Sequence, residues 1–195
     1  GVDIAHPTGD IMELYEHKRG NAQSLGCDGV NDIIESGSFL VFATDNGISF
    51  MDRNSGHWTH TLKGYVVLTL CDDNGTILAG TYGNGVFSVS ASGECRKAYS
   101  TENGMLTTDY VYSVWKDHKG NIWIGCLDGK LVQTGPSQIR RYDIENVQCI
   151  TDMPGNRVAI GTANGFFTID METGKTLHRF DSGEFKGQDI NSYVT

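Results

Sequence analysis

Proline is scarce, with 3 in 195 residues, and no long hydrophobic run is present. Apolar stretches such as Phe39-Leu40-Val41-Phe42-Ala43 last only a few residues, far short of the ~18 needed to span a bilayer. Any membrane attachment therefore lies in segments beyond this chain. Basic charge is also short: 15 Lys and Arg stand against 24 Asp and Glu, a formal net charge of -9. That balance opposes the phosphate neutralisation on which nucleic-acid binding depends, so nucleic acid is excluded as a partner. No basic segment followed by an apolar one opens the chain, which places any export signal upstream of Gly1 or among residues already removed. The five cysteines, Cys27, Cys71, Cys95, Cys126 and Cys149, are odd in number and form no C-x-x-C pair. Neither a zinc site nor a dense disulfide framework is signalled. Cys71, Cys126 and Cys149 fall in apolar strand-like runs and read as buried free thiols. Hydrophobic residues make up 38% of the chain, enough to bury a core, so wholesale disorder is excluded.

What is abundant is glycine, 25 residues, about twice the usual share of roughly 7%. That is too much for a helical bundle and suits frequent turns. The turns recur. Four segments align without forcing: Leu40 to Gly47 (LVFATDNG), Ile77 to Gly85 (ILAGTYGNG), Ile122 to Gly129 (IWIGCLDG) and Val158 to Gly165 (VAIGTANG). Measured at Thr44, Thr81, Cys126 and Thr162 the spacings are 37, 45 and 36 residues, and periods near forty mark propellers or solenoids. A β-branched or aromatic run precedes each segment, and Asp-rich turns such as Asp117-His118-Lys119-Gly120-Asn121 separate the two as hairpins. A third strand, another turn and a fourth strand follow, so each repeat is a four-stranded antiparallel meander.

Such meanders close most naturally as β-propeller blades, and β-helix repeats are too short to compete. The expected class is all-β, a piece of a larger propeller. The expected division is a half blade over 1–17, blades over 30–62, 65–99, 109–142 and 145–180, and the first strand of a next blade over 188–195. Gly80, Gly125, Gly161 and Ala43 hold matching positions on the second strands, where a small residue lets the neighbouring blade approach. Exposed edges and apolar faces on such a piece predict self-association.

Residues Asn103 to Leu131 (NGMLTTDYVYSVWKDHKGNIWIGCLDGKL) resemble the two-component regulator propeller repeat, which has an NGL-S-x-x-V lead-in, an Asp-x-x-Gly-Asn turn and a Trp-Ile-Gly-Thr core. Cys126 replaces the usual Thr here, the first repeat carries Val41 in place of Trp, and the fourth carries Ala159. Similar repeats form the extracytoplasmic sensor regions of hybrid two-component histidine kinases, best represented in gut Bacteroidetes. The resemblance implies a periplasmic location, an oligosaccharide ligand, contacts with other propeller domains of the parent chain and relay to a cytoplasmic kinase. None of the kinase lies in these residues.

No catalytic constellation, metal site or cofactor motif emerges. His57 and His60 sit three residues apart, on opposite faces of a strand, and read as exposed strand histidines. Asp72-Asp73-Asn74 lacks the spaced ligands of a calcium loop. A Gly-x-Ser-x-Gly elbow is absent, and Ser36-Gly37-Ser38 falls in a hairpin turn. Lys18-Arg19 and Arg140-Arg141 read as solvated basic pairs.

In a propeller, the loops from second to third strand and the connections entering each first strand share one face. The positions mapped there are Asp45, Asn46, Tyr82, Asn84, Asp128, Lys130 and Asn164, with Thr107, Thr108, Asp109, Tyr110 and Asn146 from the lead-ins. Tyr82, Asn84, Asp109, Tyr110, Asp128 and Lys130 are the candidate ligand-binding set, since amides and carboxylates match sugar hydroxyls and tyrosines offer flat apolar faces. The same residue types also populate ordinary tight turns. A propeller lyase or glycoside hydrolase, with Asp45, Asp109 and Asp128 as its carboxylates, is the competing expectation, and a purely structural scaffold is another.

Overall fold

A computed structural model describes residues 1–5, 12–135 and 138–181. The expected strand over 188–195 lies outside the described residues. Among the described residues there is no helix, and no element is long and apolar enough to cross a membrane as one.

Among the described residues eighteen strands pair as antiparallel neighbours. β1 (Val2–Ala5) and β2 (Met12–Tyr15) form a two-stranded sheet. Four four-stranded meanders follow. The first holds β3 (Val30–Ser36), β4 (Phe39–Thr44), β5 (Gly47–Asp52) and β6 (Trp58–Thr61). The second holds β7 (Val67–Asp73), β8 (Thr76–Thr81), β9 (Val86–Ser90) and β10 (Cys95–Tyr99). β11 (Val111–Lys116), β12 (Ile122–Cys126), β13 (Leu131–Thr134) and β14 (Ile139–Tyr142) make the third. The fourth is β15 (Val147–Met153), β16 (Arg157–Thr162), β17 (Gly165–Asp170) and β18 (Thr176–Asp181).

The sheets stack face to face as β-propeller blades. Side chains alternate across a strand, and each second strand is covered on both faces, which is why it reads as an unbroken apolar run. Val41 and Ala43 of β4 join Val67, Leu70 and Ile77 of the second blade, while Leu40 and Phe42 face Val2, Ile4 and Tyr15. Leu78 joins Val111, Val114 and Ile124 at the next seam. Trp123 joins Val147, Ile150 and Ile160 at the last. Gly80 permits this approach: a Cβ there would lie 2.6 Å from Thr69 Cγ2 and 2.8 Å from Val111 Cγ1 of the following blade.

Each first strand carries a β-bulge opposite the end of its partner. Asn31, Leu68, Tyr112 and Gln148 are the extra residues, and Asp32, Thr69, Ser113 and Cys149 then pair with Ala43, Gly80, Gly125 and Gly161. A bulge re-aims the strand, and here it turns side chains across the seams. Asp32 Oδ2 accepts the Leu70 N–H at 2.7 Å, and Thr69 Oγ1 accepts the Val114 N–H at 3.4 Å. Side chains of one blade thus satisfy edge amides of the next, groups that would otherwise need water.

The turns at the opposite end are built on aspartate. Asp117 is buried at 3% exposure and accepts from Lys119 N, Asn121 N, Asn121 Nδ2 and Trp123 Nε1 at 2.8–3.0 Å. Burial works to raise the Asp117 pKa, but these four donors outweigh it and hold the carboxyl below its usual range. Trp123 is thereby anchored at both ends, its ring at 0% exposure and stacked on Tyr142 with centroids 5.6 Å apart.

Candidate functional site

The loops from second to third strand and the lead-ins to each first strand meet at one end of the sheets. Backbone hydrogen bonds knit them: Asp45 N donates to Gly29 O, Gly47 N to Tyr65 O, Gly83 and Gly85 N to Asp109 O, and Leu131 N to Ile144 O. A repeated side-chain device closes three of the loops. Thr44, Thr81 and Thr162 are buried, donate through Oγ1 to the carbonyls of Gly47, Gly85 and Gly165 at 2.7–2.9 Å, and accept from Asn46, Asn84 and Asn164 N at 3.1–3.2 Å. A Thr followed within three residues by Asn-Gly spells this turn, as Thr-x-Asn-Gly in the first and fourth blades and Thr-x-x-Asn-Gly in the second. Cys126 cannot reproduce it, and the third loop instead places Asp128 at φ 51°.

Tyr82 and Tyr110 are brought together. They form a β-bridge across the seam of the second and third blades, with ring centroids 4.8 Å apart at 73°. Both are large, exposed aromatics, at 49% and 42%. Gly83, at φ +89°, lies beneath Tyr110, where a Cβ would come 3.2 Å from its Cε1. The glycine is required by backbone and by ring alike. Asn84 is half-buried beside the pair.

The other candidates are more committed. Asp109 receives Thr101 N on Oδ1 at 2.8 Å and Thr101 Oγ1 on Oδ2 at 2.7 Å, so both carboxylate oxygens clamp the lead-in loop. Asp128 is exposed, and its N–H donates to Asn146 Oδ1 at 3.2 Å. Lys130 donates from Nζ to Asp143 and, at 2.8 Å, to Glu145, which raise its pKa to about 12. Asp45 accepts from Asn31 Nδ2 at 3.0 Å. Thr107 Oγ1 accepts the Lys130 N–H at 2.9 Å. Among the described residues no group of three or more His, Cys, Asp or Glu is arranged to hold a metal ion.

Sequence reasoning missed several residues. Asp143, Glu145, Phe167 and Arg179 line a cleft of about 290 Å³ with the mapped Asn146 and Asn164. The Arg179 guanidinium lies 5.5 Å over the Phe167 ring, a cation–π contact. Arg141, read as solvated, donates to Gly104 O at 2.8 Å and straps the outer strand to the preceding connection. His60 is half-buried: Nε2 donates to Ala22 O at 3.0 Å, leaving Nδ1 to accept from Ser49 Oγ at 2.9 Å. His57 is exposed and precedes β6. Cys71 and Cys126 are buried thiols whose pKa values burial raises to about 11 and 12, whereas Cys149 is only half-buried.

No protein-family model and no curated relative matches the chain. Solved structures do. The extracellular domain of BT3049, described as a hybrid two-component system of B. thetaiotaomicron, is similar at TM-score 0.75 and 21% identity, over 97% of this chain and 27% of that one. That of BT4673 from the same organism is similar at TM-score 0.73 and 17% identity, over 93% and 28%. The chain carries the fold of these extracellular domains. PorZ, a surface component of the type-IX secretion system of Porphyromonas gingivalis, is similar at TM-score 0.61 and 16% identity, over 92% of this chain and 24% of PorZ. The chain thus spans about a quarter of the length of these structures. The likeness in fold agrees with the propeller architecture that the repeats imply.

Proposed function

We propose that the chain is part of an extracytoplasmic ligand-sensing module of a hybrid two-component sensor, that its loop face detects an oligosaccharide, and that the bound state is relayed to a cytoplasmic kinase. The observation that carries this reading is the exposed Tyr82–Tyr110 pair, two flat apolar surfaces held at a blade seam by backbone pairing. Pyranose rings stack on such surfaces while amides beside them meet hydroxyls. A seam is also the place where a ligand touching two blades can favour one inter-blade arrangement over another. Signalling requires that difference in affinity between two states.

In this reading the segment performs no chemistry. Two of the three carboxylates that a propeller lyase or hydrolase would use hold the backbone or a neighbouring side chain instead: Asp109 clamps Thr101 and Asp45 holds Asn31, while Asp128 is exposed. The same commitments favour a second reading, a structural scaffold for neighbouring domains of the parent chain. Calorimetric titration of the chain with neutral oligosaccharides separates them. Sensing predicts binding that Tyr82→Ala or Tyr110→Ala weakens tenfold or more. Titration heats unchanged by both substitutions favour the scaffold, and oligosaccharide turnover abolished by Asp128→Asn overturns both in favour of an enzyme.

A further inference from the structure

A second cleft, of about 370 Å³, opens between the connection over 17–26 and the first blade, lined by His17, Asn21, Ser24, Asn46, His60 and Lys63 among others. Among the described residues no carboxylate lines it, in a chain with 24 acidic residues. Asp28 and Asp45, near it in sequence, are already engaged, Asp28 with the His17 N–H and Asp45 with Asn31 Nδ2.

Three backbone carbonyls of the connection are already engaged by side-chain donors. Ser24 Oγ donates to the Asn21 carbonyl at 2.8 Å, His60 Nε2 to the Ala22 carbonyl at 3.0 Å and His17 Nδ1 to the Leu25 carbonyl at 2.9 Å. Both amide side chains are oriented by the same logic. Asn21 Oδ1 accepts the Gln23 N–H at 2.9 Å, and Asn46 Oδ1 accepts the Gly64 N–H at 2.8 Å. With their oxygens fixed, each amide presents its NH₂ group, a donor of two hydrogens. The Lys63 ammonium adds three more donors and a positive charge. These three side chains make the cleft rich in donors.

A neutral sugar hydroxyl both donates and accepts, whereas the two amide NH₂ groups and the ammonium only donate. An anionic oxygen group only accepts, and charge-assisted hydrogen bonds to it are about twice as strong as neutral ones. We infer that this cleft is a subsite for an anionic substituent of the ligand, a carboxylate or sulfate group on a sugar. The inference rests on the oligosaccharide reading above and names its chemical class. Asn46 belongs both to this cleft and to the loop from β4 to β5, so the subsite opens on the same face as the tyrosine pair.

The test is titration of the chain with an oligogalacturonate and its carboxyl-reduced counterpart, and with a sulfated galactose oligosaccharide and its desulfated counterpart. Asn46→Asp, Asn21→Asp and Lys63→Glu are the variants. Aspartate at positions 46 and 21 keeps the oxygen that accepts from Gly64 or Gln23 while replacing the free donor by an acceptor, so the fold is spared. At least one anionic sugar should bind tenfold or more tighter than its neutral partner, and each variant should erase that preference; the arm that responds identifies carboxylate or sulfate. Equal binding of charged and neutral partners, weakened alike by Tyr82→Ala, overturns this inference and leaves the oligosaccharide reading standing. A preference for the anionic sugar that survives all three variants overturns the placement of the subsite. Failure of every anionic probe to bind overturns the inference, and failure of the neutral sugars as well overturns both.

Discussion

Alanine at Gly80 tests the packing of the seams directly. The added methyl would sit 2.6 Å from Thr69 Cγ2, 2.8 Å from Val111 Cγ1 and 3.2 Å from Val114 Cγ2. Val111 is fully buried and β-branched, so it has little rotamer freedom with which to retreat. Overpacking of this kind costs about 1–3 kcal/mol. Gly80 does not have a positive φ, so alanine is otherwise allowed and recovers about 0.4–1 kcal/mol from the unfolded chain. The net expectation is a loss of about 1–2 kcal/mol, or ~2–8 °C in Tm for a chain of this length. The decisive comparison repeats Gly80→Ala in a Thr69→Ser, Val111→Ala background, where both contacts under 3 Å are gone but Thr69's hydrogen-bonding oxygen is kept. There the penalty should fall below about 0.5 kcal/mol, the residue expected once the coupled neighbours are removed. Thermal and urea unfolding of the four proteins supply the numbers. A neutral Gly80→Ala, or an equal penalty in both backgrounds, would refute close approach of the second and third blades as the reason for glycine.

Other expectations follow from single contacts. Asp117→Ala strands four donors, one of them Trp123 Nε1, and should cost at least about 2 kcal/mol by denaturant unfolding. Because the Asp117 pKa is lowered in the folded state, its contribution is present above the unfolded carboxyl pKa and is lost as pH falls through the folded value. The wild type should therefore lose more stability than Asp117→Ala on acidification below about pH 4, the ordinary aspartate range; parallel acid limbs would contradict this. Asp32→Ala should speed hydrogen exchange at the Leu70 amide while Asp32→Asn restores protection, and identical rates in both would show that the cross-seam bond is immaterial. Dynamic light scattering of the isolated chain should report self-association through apolar sheet faces; a monodisperse monomer would rule it out.

Much of the fold was legible because blades repeat. The apolar second strands, the Asp-rich hairpins and the glycine-closed loops recur at near-constant spacing, and each pattern has a local physical cause. The bulges at Asn31, Leu68, Tyr112 and Gln148 were not legible, since an extra residue in a ladder leaves the side-chain composition unchanged and shows only in register. The candidate site was legible in its position more than in its chemistry. Aligning loops with lead-ins puts Tyr82 and Tyr110 on one face, while their pairing across a seam shows only in the structure. The capture of Lys130 by Asp143 and Glu145 does not, because those partners come from a lead-in whose course between blades no spacing rule fixes. The connection over 17–26 falls outside the repeat pattern altogether, so its donor-lined cleft and the tethering of His60 had no signal in periodicity.

The central claim is that the loop face, around the Tyr82–Tyr110 seam, is where ligand meets this propeller. Two-dimensional amide NMR of the chain titrated with the tightest-binding oligosaccharide tests it most directly. The account predicts that shifts cluster at Tyr82, Gly83, Asn84, Tyr110 and the adjoining Lys130, and that Tyr110→Ala abolishes them. Shifts confined to the opposite turns, at Asp52–Gly56 and Asp117–Asn121, with the loop face silent, would contradict it.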